Sequence, residues 1–556
     1  MPFLMSGTES APKAGHDAEP HAPASDEESI KKQPPADKRK CRFKFIKLDI
    51  FDKCLAGILF IALYLRLQLQ SVVKAPWWDE ASFLLFTRNL FEKTGCTVET
   101  HRLPGLSVLL APVYKIFGAA YSNFQYFEIL VSVVLILVVY AISNKLFNGD
   151  KRIGLGAAIL IAFSWLNLFY GVRVFSRIPS AVFFMISLYL FLDGWEKNNH
   201  KLLAIAGVMW AFGNSIRFEG LAIGLSLVLY VALSEGVKAL FSRKALIFGL
   251  ACIAGYVPYL VWSYVSFGNP FFQIYRNLEL VSGLEQPRTW FIENMAHIIG
   301  AWWAPFLLVG TIALAYVAWT KGIRKPEGKS ALFVLLVFLV DFALLSWSPY
   351  HEDRYLLVIF PLMAIICAFG LYAIIFIIPQ MAVKSFKNNP SAGKVMSAIF
   401  FVLVLLFSMQ AYSYGKPIIL SKGPSYSIVK TAGEKLESFE VDYDAVMGPF
   451  VQGMFTHPQL CYSAKNPSKF NWVTYPDNIT ALTDYLSTPE GSRTLVYYSV
   501  YDGNVPYLSP QQFVTEKGGF NQQAYFDYLD KANLTIVWWG NENGTGAISA
   551  YLARKQ

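Results

Sequence analysis

The sequence predicts a polytopic α-helical membrane protein of about eleven spanning helices, followed by a small C-terminal α/β domain. Three observations predict it. The 556 residues are 54% apolar and only 16% charged, where soluble domains carry roughly 25% charged residues, and the mean hydropathy is +0.38. The apolar residues fall in runs, several approaching the roughly 20 needed to cross a bilayer core, with Lys and Arg clustered in the short gaps between them. From about Gly415 the runs shorten and Pro, Gly, Asn and Tyr increase. The net charge of +9 is thus topological, and its pattern does not point to nucleic acid. Aromatic residues at 16% suit a chain with many helix ends at a membrane interface.

Residues 1–50 are polar and rich in Ala, Pro, Lys and acidic residues. They cannot bury a core, so a disordered cytoplasmic N-terminus is expected. The first apolar stretch begins near Phe51 and reads as a retained signal anchor. Ahead of it, Lys38-Arg39-Lys40-Cys41-Arg42-Phe43-Lys44 fixes the cytoplasmic side by the positive-inside rule. The membrane domain covers 51–414. Span one runs from Leu55 to Leu69, an outer loop covers 70–122, and span two runs from Phe124 to Leu146. Spans three and four (Ile153–Tyr170, Pro179–Trp195) meet outside, as do five and six (Leu202–Ser215, Leu221–Leu233). Span seven (Ala245–Val265) leads to an outer loop from Phe267 to about His297. Span eight ends inside at Lys321–Lys325, nine outside at Ser348–Arg354, ten inside near Lys384 and Lys387. Span eleven (Val395–Tyr412) delivers residues 415–556 outside.

Most loops placed inside by this scheme are rich in Lys and Arg. The sequons at Asn478, Asn533 and Asn543 all fall in the C-terminal domain, as glycosylation on an extracytoplasmic side requires. There, short apolar strands (Asp444–Gly448, Thr494–Tyr498, Leu534–Trp538) alternate with helical stretches (Ser427–Phe439, Ile479–Ser487), the pattern of an α/β domain. With no glycine-rich phosphate loop, it suits recognition or scaffolding. Six cysteines lack CxxC spacing, so no zinc site is indicated. Cys96 and Cys461 both fall outside and could pair, although two cysteines alone do not define a bridge.

A charge placed in or beside a membrane costs at least ~2.5 kcal/mol at a helix centre, so placed charges invite a functional reading. The first outer loop opens Pro76-Trp77-Trp78-Asp79-Glu80. Apolar residues at helical spacing then run from Ala81 to Lys93, and again from Leu106 to Phe117 after His101-Arg102-Leu103-Pro104-Gly105. Both read as helices lying on the bilayer around a surface site. Asp79 is either an acidic helix cap or a catalyst. Arg173, Arg177, Arg217 with Glu219, and His351-Glu352-Asp353-Arg354 place further charges at the same face. Each arginine alone could be a snorkelling anchor. Together they suggest carboxylates and guanidiniums converging on one surface, and arginine forks suit phosphate, here a lipid phosphate. His351-Glu352-Asp353 leaves room for a divalent cation, but its spacing matches no specific metal motif.

On these residues the chain resembles the GT-C glycosyltransferases, in particular the branch of protein O-mannosyltransferases and the lipid A aminoarabinose transferase. The likeness lies in Asp79-Glu80 after span one, the Phe83–Gly95 helix, Arg102-Leu103-Pro104-Gly105, Ser176-Arg177, Arg217-Phe218-Glu219-Gly220, Phe267-Gly268-Asn269-Pro270 and Arg354-Tyr355-Leu356 before Pro361. It covers nearly all of 50–415. Each motif is weak alone; their order and shared sidedness give the match its specificity. Leu103-Pro104 departs from the Pro-Pro pair common in that branch, and His351–Arg354 is also similar to a segment of lipid-linked mannosyltransferases, so the acceptor class stays open.

The resemblance implies an inverting transfer of a monosaccharide, mannose among the candidates, from a polyprenyl- or dolichyl-phosphate carrier to a protein, lipid or glycan. Asp79 would be the catalytic carboxylate with Glu80 as helper. Arg177, Arg217, Arg354 and Arg173 would receive the donor phosphate. His101, Arg102, Glu219, His351, Glu352 and Asp353 would line the acceptor side. A divalent cation could replace one arginine, and no other cofactor is implied. The membrane would be endoplasmic reticulum or a prokaryotic plasma membrane. A transporter or flippase is the rival class: Asp341 is the clear carboxylate inside a span, but no internal repeat is seen and the long acidic loop fits that class poorly.

Overall fold

The computed structural model describes residues 49–281, 285–382, 390–439, 443–448, 457–501, 506–513, 521–542 and 548–555. The polar N-terminal segment, Lys384, Lys387 and Asn543 lie outside the described residues. Every apolar run of the sequence reading is helical: α1 (Ile50–Gln70), α4 (Tyr121–Leu146), α5 (Lys151–Phe163) with α6 (Trp165–Tyr170), α7 (Arg177–Glu196), α8 (His200–Ile216), α9 (Gly220–Glu235), α10 (Arg243–Phe267), α12 (Ala304–Lys321), α13 (Pro326–Trp347), α14 (Phe360–Tyr372) and α15 (Pro390–Lys422). Among the described residues seven helices are long and apolar enough to cross a membrane. α8 and α9 are shorter, span three is split at Ser164, and α1 carries Asp52, Lys53 and Arg66. The chain is an integral membrane protein.

Local chemistry starts these helices. Asp49, Asp150, Asn199 and Ser242 each cap an N-terminus by accepting a backbone N–H, satisfying donors a helix start otherwise leaves bare. Packing then sorts them. From Phe360 to Leu371 every residue of α14 is buried, so α14 forms the centre of the bundle. It meets α12 at Gly310 and Gly370, where a Cβ on Gly310 would stand 2.0 Å from the Ile366 carbonyl oxygen. Small residues permit such close helix approach in a membrane. On α10 the exposed residues include Leu246, Leu250, Ile253, Val257 and Val261, an apolar stripe at helical spacing suited to lipid; the loop after it carries α11 (Phe272–Val281).

The C-terminal domain is a five-stranded sheet in the order β2-β1-β3-β5-β4. Strands β1 (Ala445–Gly448), β2 (Asn471–Thr474) and β3 (Thr494–Ser499) are parallel; β5 (Ile548–Arg554) runs antiparallel between β3 and β4 (Leu534–Asn541). Alternation divides its cores. Val446, Leu495, Tyr497 and Tyr551 pack with α16 (Ser427–Lys435) and α17 (Pro458–Ser463). Met447, Val496, Tyr498 and Leu552 pack with α18 (Ile479–Leu486) and α19 (Gln522–Lys531) on the other face. A strand covered on both faces reads as a continuous apolar run, which is why β3 was visible in the sequence.

This domain corrects one expectation. Helix α2 (Trp78–Asn89) turns its apolar residues onto protein. Phe83, Leu84 and Leu85 are buried, and α17 packs against α2. Cys96 is bonded to Cys461, with Cα atoms 6.6 Å apart. Arg88 donates to the carbonyls of Tyr462, Ala464 and Lys465 at 3.3, 2.9 and 3.0 Å. The apolar face read as lipid-facing is covered by protein from nearly four hundred residues away. Helix α3 (Gly105–Phe117) keeps Val108, Ile116 and Phe117 exposed.

Candidate active site

The two carboxylates that open α2 have opposite fates. Glu80 sits in the first turn, and its Oε2 accepts the Trp77 N–H at 2.7 Å, capping the helix. That oxygen also accepts Arg173 Nη1 at 2.7 Å, while Oε1 accepts the Tyr121 hydroxyl at 2.5 Å and the Val174 N–H at 2.8 Å. Both side chains of the Glu80–Arg173 pair are fully buried. The Arg173 guanidinium lies between the rings of Trp77 (4.1 Å) and Phe169 (4.7 Å) and donates to the carbonyls of Lys422 and Gly423 at 3.3 Å. A buried ion pair needs its lone pairs and protons satisfied; both Glu80 oxygens and both terminal nitrogens of Arg173 are bonded, and the Arg173 Nε alone has no partner among the described residues. Glu80 as helper and Arg173 as phosphate ligand are therefore corrected to a pair that ties α2, α4, the turn after α6 and the end of α15 together.

Asp79 faces the other way, onto a cavity of about 570 Å³. Arg102 Nη2 donates to its Oδ1 at 2.6 Å and Arg354 Nη1 to its Oδ2 at 2.7 Å. Burial alone would raise the carboxyl pKa, but the two guanidiniums override it and hold Asp79 well below the usual carboxylate range. Each arginine has a second carboxylate. Arg102 Nε reaches Glu99 at 2.6 Å, and Arg354 Nε is bonded to Glu352. Glu99 also accepts Trp78 Nε1 at 2.9 Å and the Ser82 hydroxyl at 2.7 Å. Asp79 is thus the centre of an alternating chain Glu99–Arg102–Asp79–Arg354–Glu352, which fixes its position without using up its exposed edge.

Around Asp79 the cavity is lined by Trp77, Trp78, Tyr170 and Phe175 on one side, and by His351, Glu352, Asp353 and Arg354 from the segment after α13. Trp290, Asn294 and His297 of the loop before α12, with Lys422 and Tyr426 where α15 meets the C-terminal domain, complete it. His351 is buried against Trp290 and Phe291; its Nε2 contacts the Ser346 carbonyl at 3.2 Å, and its Nδ1 has no partner among the described residues. Asp353 accepts the Tyr170 hydroxyl at 3.4 Å and lies 3.8 Å from His297 Nε2, whose ring Nδ1 pairs with the Tyr414 hydroxyl at 2.7 Å. Burial raises Asp353, but His297 and Lys422 bring it below its ordinary value.

The remaining nominated residues form a neighbouring cluster that does not line this cavity. Arg177 Nη1 donates to Glu219 at 3.3 Å, Arg217 is paired with the same carboxylate, and Arg177 lies over the Tyr355 ring at 4.0 Å. Burial opposes ionisation of Glu219, yet the two guanidiniums bring its pKa down to about 2. His101 is half-buried beside Arg102; burial and that cation push its pKa to about 4, so it is neutral at pH 7. Arg177, Arg217, Glu219 and His101 are expected from the sequence to meet donor or acceptor; they are not among the residues that line this cavity. Glu99, Trp290, Asn294, His297 and Lys422 were missed; each comes from a segment with no local motif. Inside the bundle, Asp341 accepts Ser226 at 3.4 Å, and Glu128, also missed, is buried in α4. Among the described residues no three His, Cys, Asp or Glu side chains converge as a metal-ligand set.

The family model of dolichyl-phosphate-mannose-protein mannosyltransferases matches residues 101–262, under a third of the chain. No curated protein matches the sequence. Among solved structures, ArnT from Cupriavidus metallidurans bound to undecaprenyl phosphate is similar at 12% identity and a TM-score of 0.64, over 90% of this chain and 98% of that one. The Archaeoglobus fulgidus oligosaccharyltransferase, tethered with an acceptor peptide containing an NVT sequon, follows at 14% identity, TM-score 0.51, over 80% of this chain and 69% of that one. The arabinofuranosyltransferase AftD from mycobacteria matches at 12% identity, TM-score 0.50, over 91% of this chain and 40% of that one. At such identities the shared property is the fold alone.

Proposed function

We propose that this chain is an inverting glycosyltransferase that moves a monosaccharide from a polyprenyl-phosphate carrier to an acceptor on the extracytoplasmic side of its membrane. The observation that carries this reading is Asp79, ionised and held between Arg102 and Arg354 on the wall of a cavity. The residue-101–262 match and the neighbours with lipid-phosphate and peptide-acceptor complexes support the class. In the reaction, the acceptor oxygen forms a bond to the anomeric carbon on the face opposite the phosphate. The bond from that carbon to the phosphate oxygen breaks, and its electron pair leaves with the polyprenyl phosphate. The acceptor proton passes to Asp79. Its depressed pKa keeps Asp79 ionised but makes it a weak base, so it takes the proton late, once the acceptor oxygen has become acidic by bonding. General-base assistance of this kind is typically worth 10²–10⁴-fold.

Glu352, Asp353 and His351 present the remaining polar wall to sugar or acceptor hydroxyls. The C-terminal domain holds the site rather than reacting: the His457 ring packs at a tilt against Trp78 at 4.8 Å, and Gln459 Nε2 donates to the Pro76 carbonyl at 2.9 Å. Mannose is one candidate sugar; a protein, lipid or glycan hydroxyl is the acceptor class. Purified chain supplied with a polyprenyl-phosphate sugar should release polyprenyl phosphate and glycosylate an acceptor extract. Flux of the lipid-linked sugar across liposomes without any transfer would overturn the reading in favour of a flippase. Mass spectrometry of lipids and glycoproteins from cells lacking the chain would identify the missing sugar. A membrane-impermeant thiol reagent should label a cysteine placed at exposed Asn478 from the extracytoplasmic side.

A further inference from the structure

The four arginines nominated for the donor phosphate are all committed to carboxylates: Arg173 to Glu80, Arg177 and Arg217 to Glu219, and Arg354 to both Asp79 and Glu352. A guanidinium so matched gains little by turning to a new anion, because its carboxylate would be left unpaired. Yet a departing polyprenyl phosphate needs positive charge where its own charge grows. Lys422 lines the cavity, is exposed, and has no carboxylate within ion-pair distance among the described residues.

Its setting is built. Lys422 is the last residue of α15, and Arg173 Nη2 holds the carbonyls of Lys422 and Gly423 at 3.3 Å. A Cβ on Gly423 would stand 2.5 Å from Val72, so the chain is packed tightly there. The ammonium therefore leaves from a clamped base. Arg173 also lies over the Trp77 ring at 4.1 Å, and Trp77 lines the same cavity. One cation without an ion-pair partner among the described residues thus lines the cavity that holds Asp79.

We infer that Lys422 receives the donor's phosphate, and that the arginines hold the carboxylates in place instead. This rests on the transferase reading above. Lys422 pairs with the phosphodiester of the bound donor, and more strongly with the phosphate as its linkage to the sugar breaks. Removing its charge should therefore lower kcat more than it raises KM, and should weaken binding of the sugar-free product.

The test uses full-length purified protein and polyprenyl phosphate without sugar as the probe, with transfer measured in parallel. Lys422→Gln should bind the probe roughly 10- to 100-fold more weakly than wild type, with an unchanged melting temperature. Lys422→Arg, which keeps the charge, should recover most of that binding. Lys416→Gln, an exposed change in the same helix away from the cavity, should bind as wild type does. If wild type binds and transfers while Lys422→Gln matches it, or if Gln and Arg variants lose binding equally, the assignment of Lys422 is overturned and the transferase reading stands. If wild type neither binds the probe nor transfers sugar, both are overturned.

Discussion

Replacing Asp79 by asparagine leaves its shape and removes its charge from between two guanidiniums. Two costs follow, and the structure separates them. The first is to stability. Each charged hydrogen bond, at 2.6 Å from Arg102 and 2.7 Å from Arg354, contributes roughly 1.5–3 kcal/mol. Breaking a fully buried pair typically costs 3–5 kcal/mol. Here each arginine retains another carboxylate, Glu99 or Glu352, and the Asp79 side chain is 23% exposed, so the expected loss is lower, about 2–3 kcal/mol. The second cost is to the reaction. Without a proton acceptor the step loses about 10²–10⁴-fold, or roughly 3–5.5 kcal/mol of barrier. A protein that stays folded should therefore lose nearly all transfer. The assay is sugar transfer from a short-chain polyprenyl-phosphate donor, beside a melting curve in the same detergent. Asp79→Glu keeps the charge but displaces the carboxylate by about 1.5 Å, and misplacement on that scale can cost about 10²-fold. A folded Asp79→Asn protein that transfers within about threefold of wild type would refute the argument.

Glu80→Gln should act on stability first: the fully buried pair with Arg173 is broken, about 3–5 kcal/mol is lost, and activity in the surviving folded fraction should remain near normal. A strong loss of kcat with an unchanged melting temperature would contradict the positioning role. Cys96→Ser or Cys461→Ser should lower stability by about 2–5 kcal/mol and reduce transfer, because the bridge ties the Asp79 loop to the C-terminal domain; non-reducing peptide mapping checks the bond. Glu219, whose pKa falls from 4.5 to about 2 on folding, contributes stability that is fully present above pH ~4.5 and lost as pH falls towards 2. The melting temperature should drop across that window, and Glu219→Gln should flatten the drop; an unchanged acid slope in that variant would show that other groups set it.

What could be read from the sequence was whatever depends on local pattern. Apolar runs gave the helices, charge clusters gave the turns, and unbroken apolar stretches gave β1 and β3. The Asp79-Glu80 pair was legible as a site, but its division of labour was not. Glu80 caps its own helix by a local contact, whereas the partners that empty it of catalytic capacity, Arg173 and Tyr121, come from α4 and the turn after α6. Exposed strands were also hidden. In β2, Asn471 to Thr474 are half-buried or exposed at the sheet edge, so they lack the apolar signature of β3. The lipid-surface reading of α2 failed for the same reason in reverse. An apolar face states that something covers it, and not whether the cover is lipid or α17.

The pairing of every nominated arginine has a consequence for the proposed reaction. Among the cavity-lining side chains, Asp79, Glu352 and Asp353 are set against Arg354 and Lys422. Free guanidiniums in their place would bind the departing phosphate at least as tightly as the donor, and interactions equal in ground and transition states do not raise kcat. Worse, the product would hold the site. Carboxylates that neutralise the arginines leave positive charge at one point, near the clamped end of α15, where it meets the bond that breaks. The same carboxylates keep Asp79 immobile while leaving it ionised. The acids and bases that balance one another around Asp79 thus become selective once a phosphate arrives: Lys422, which acts on Asp353 only through space, is the cavity-lining cation with no carboxylate in ion-pair contact among the described residues.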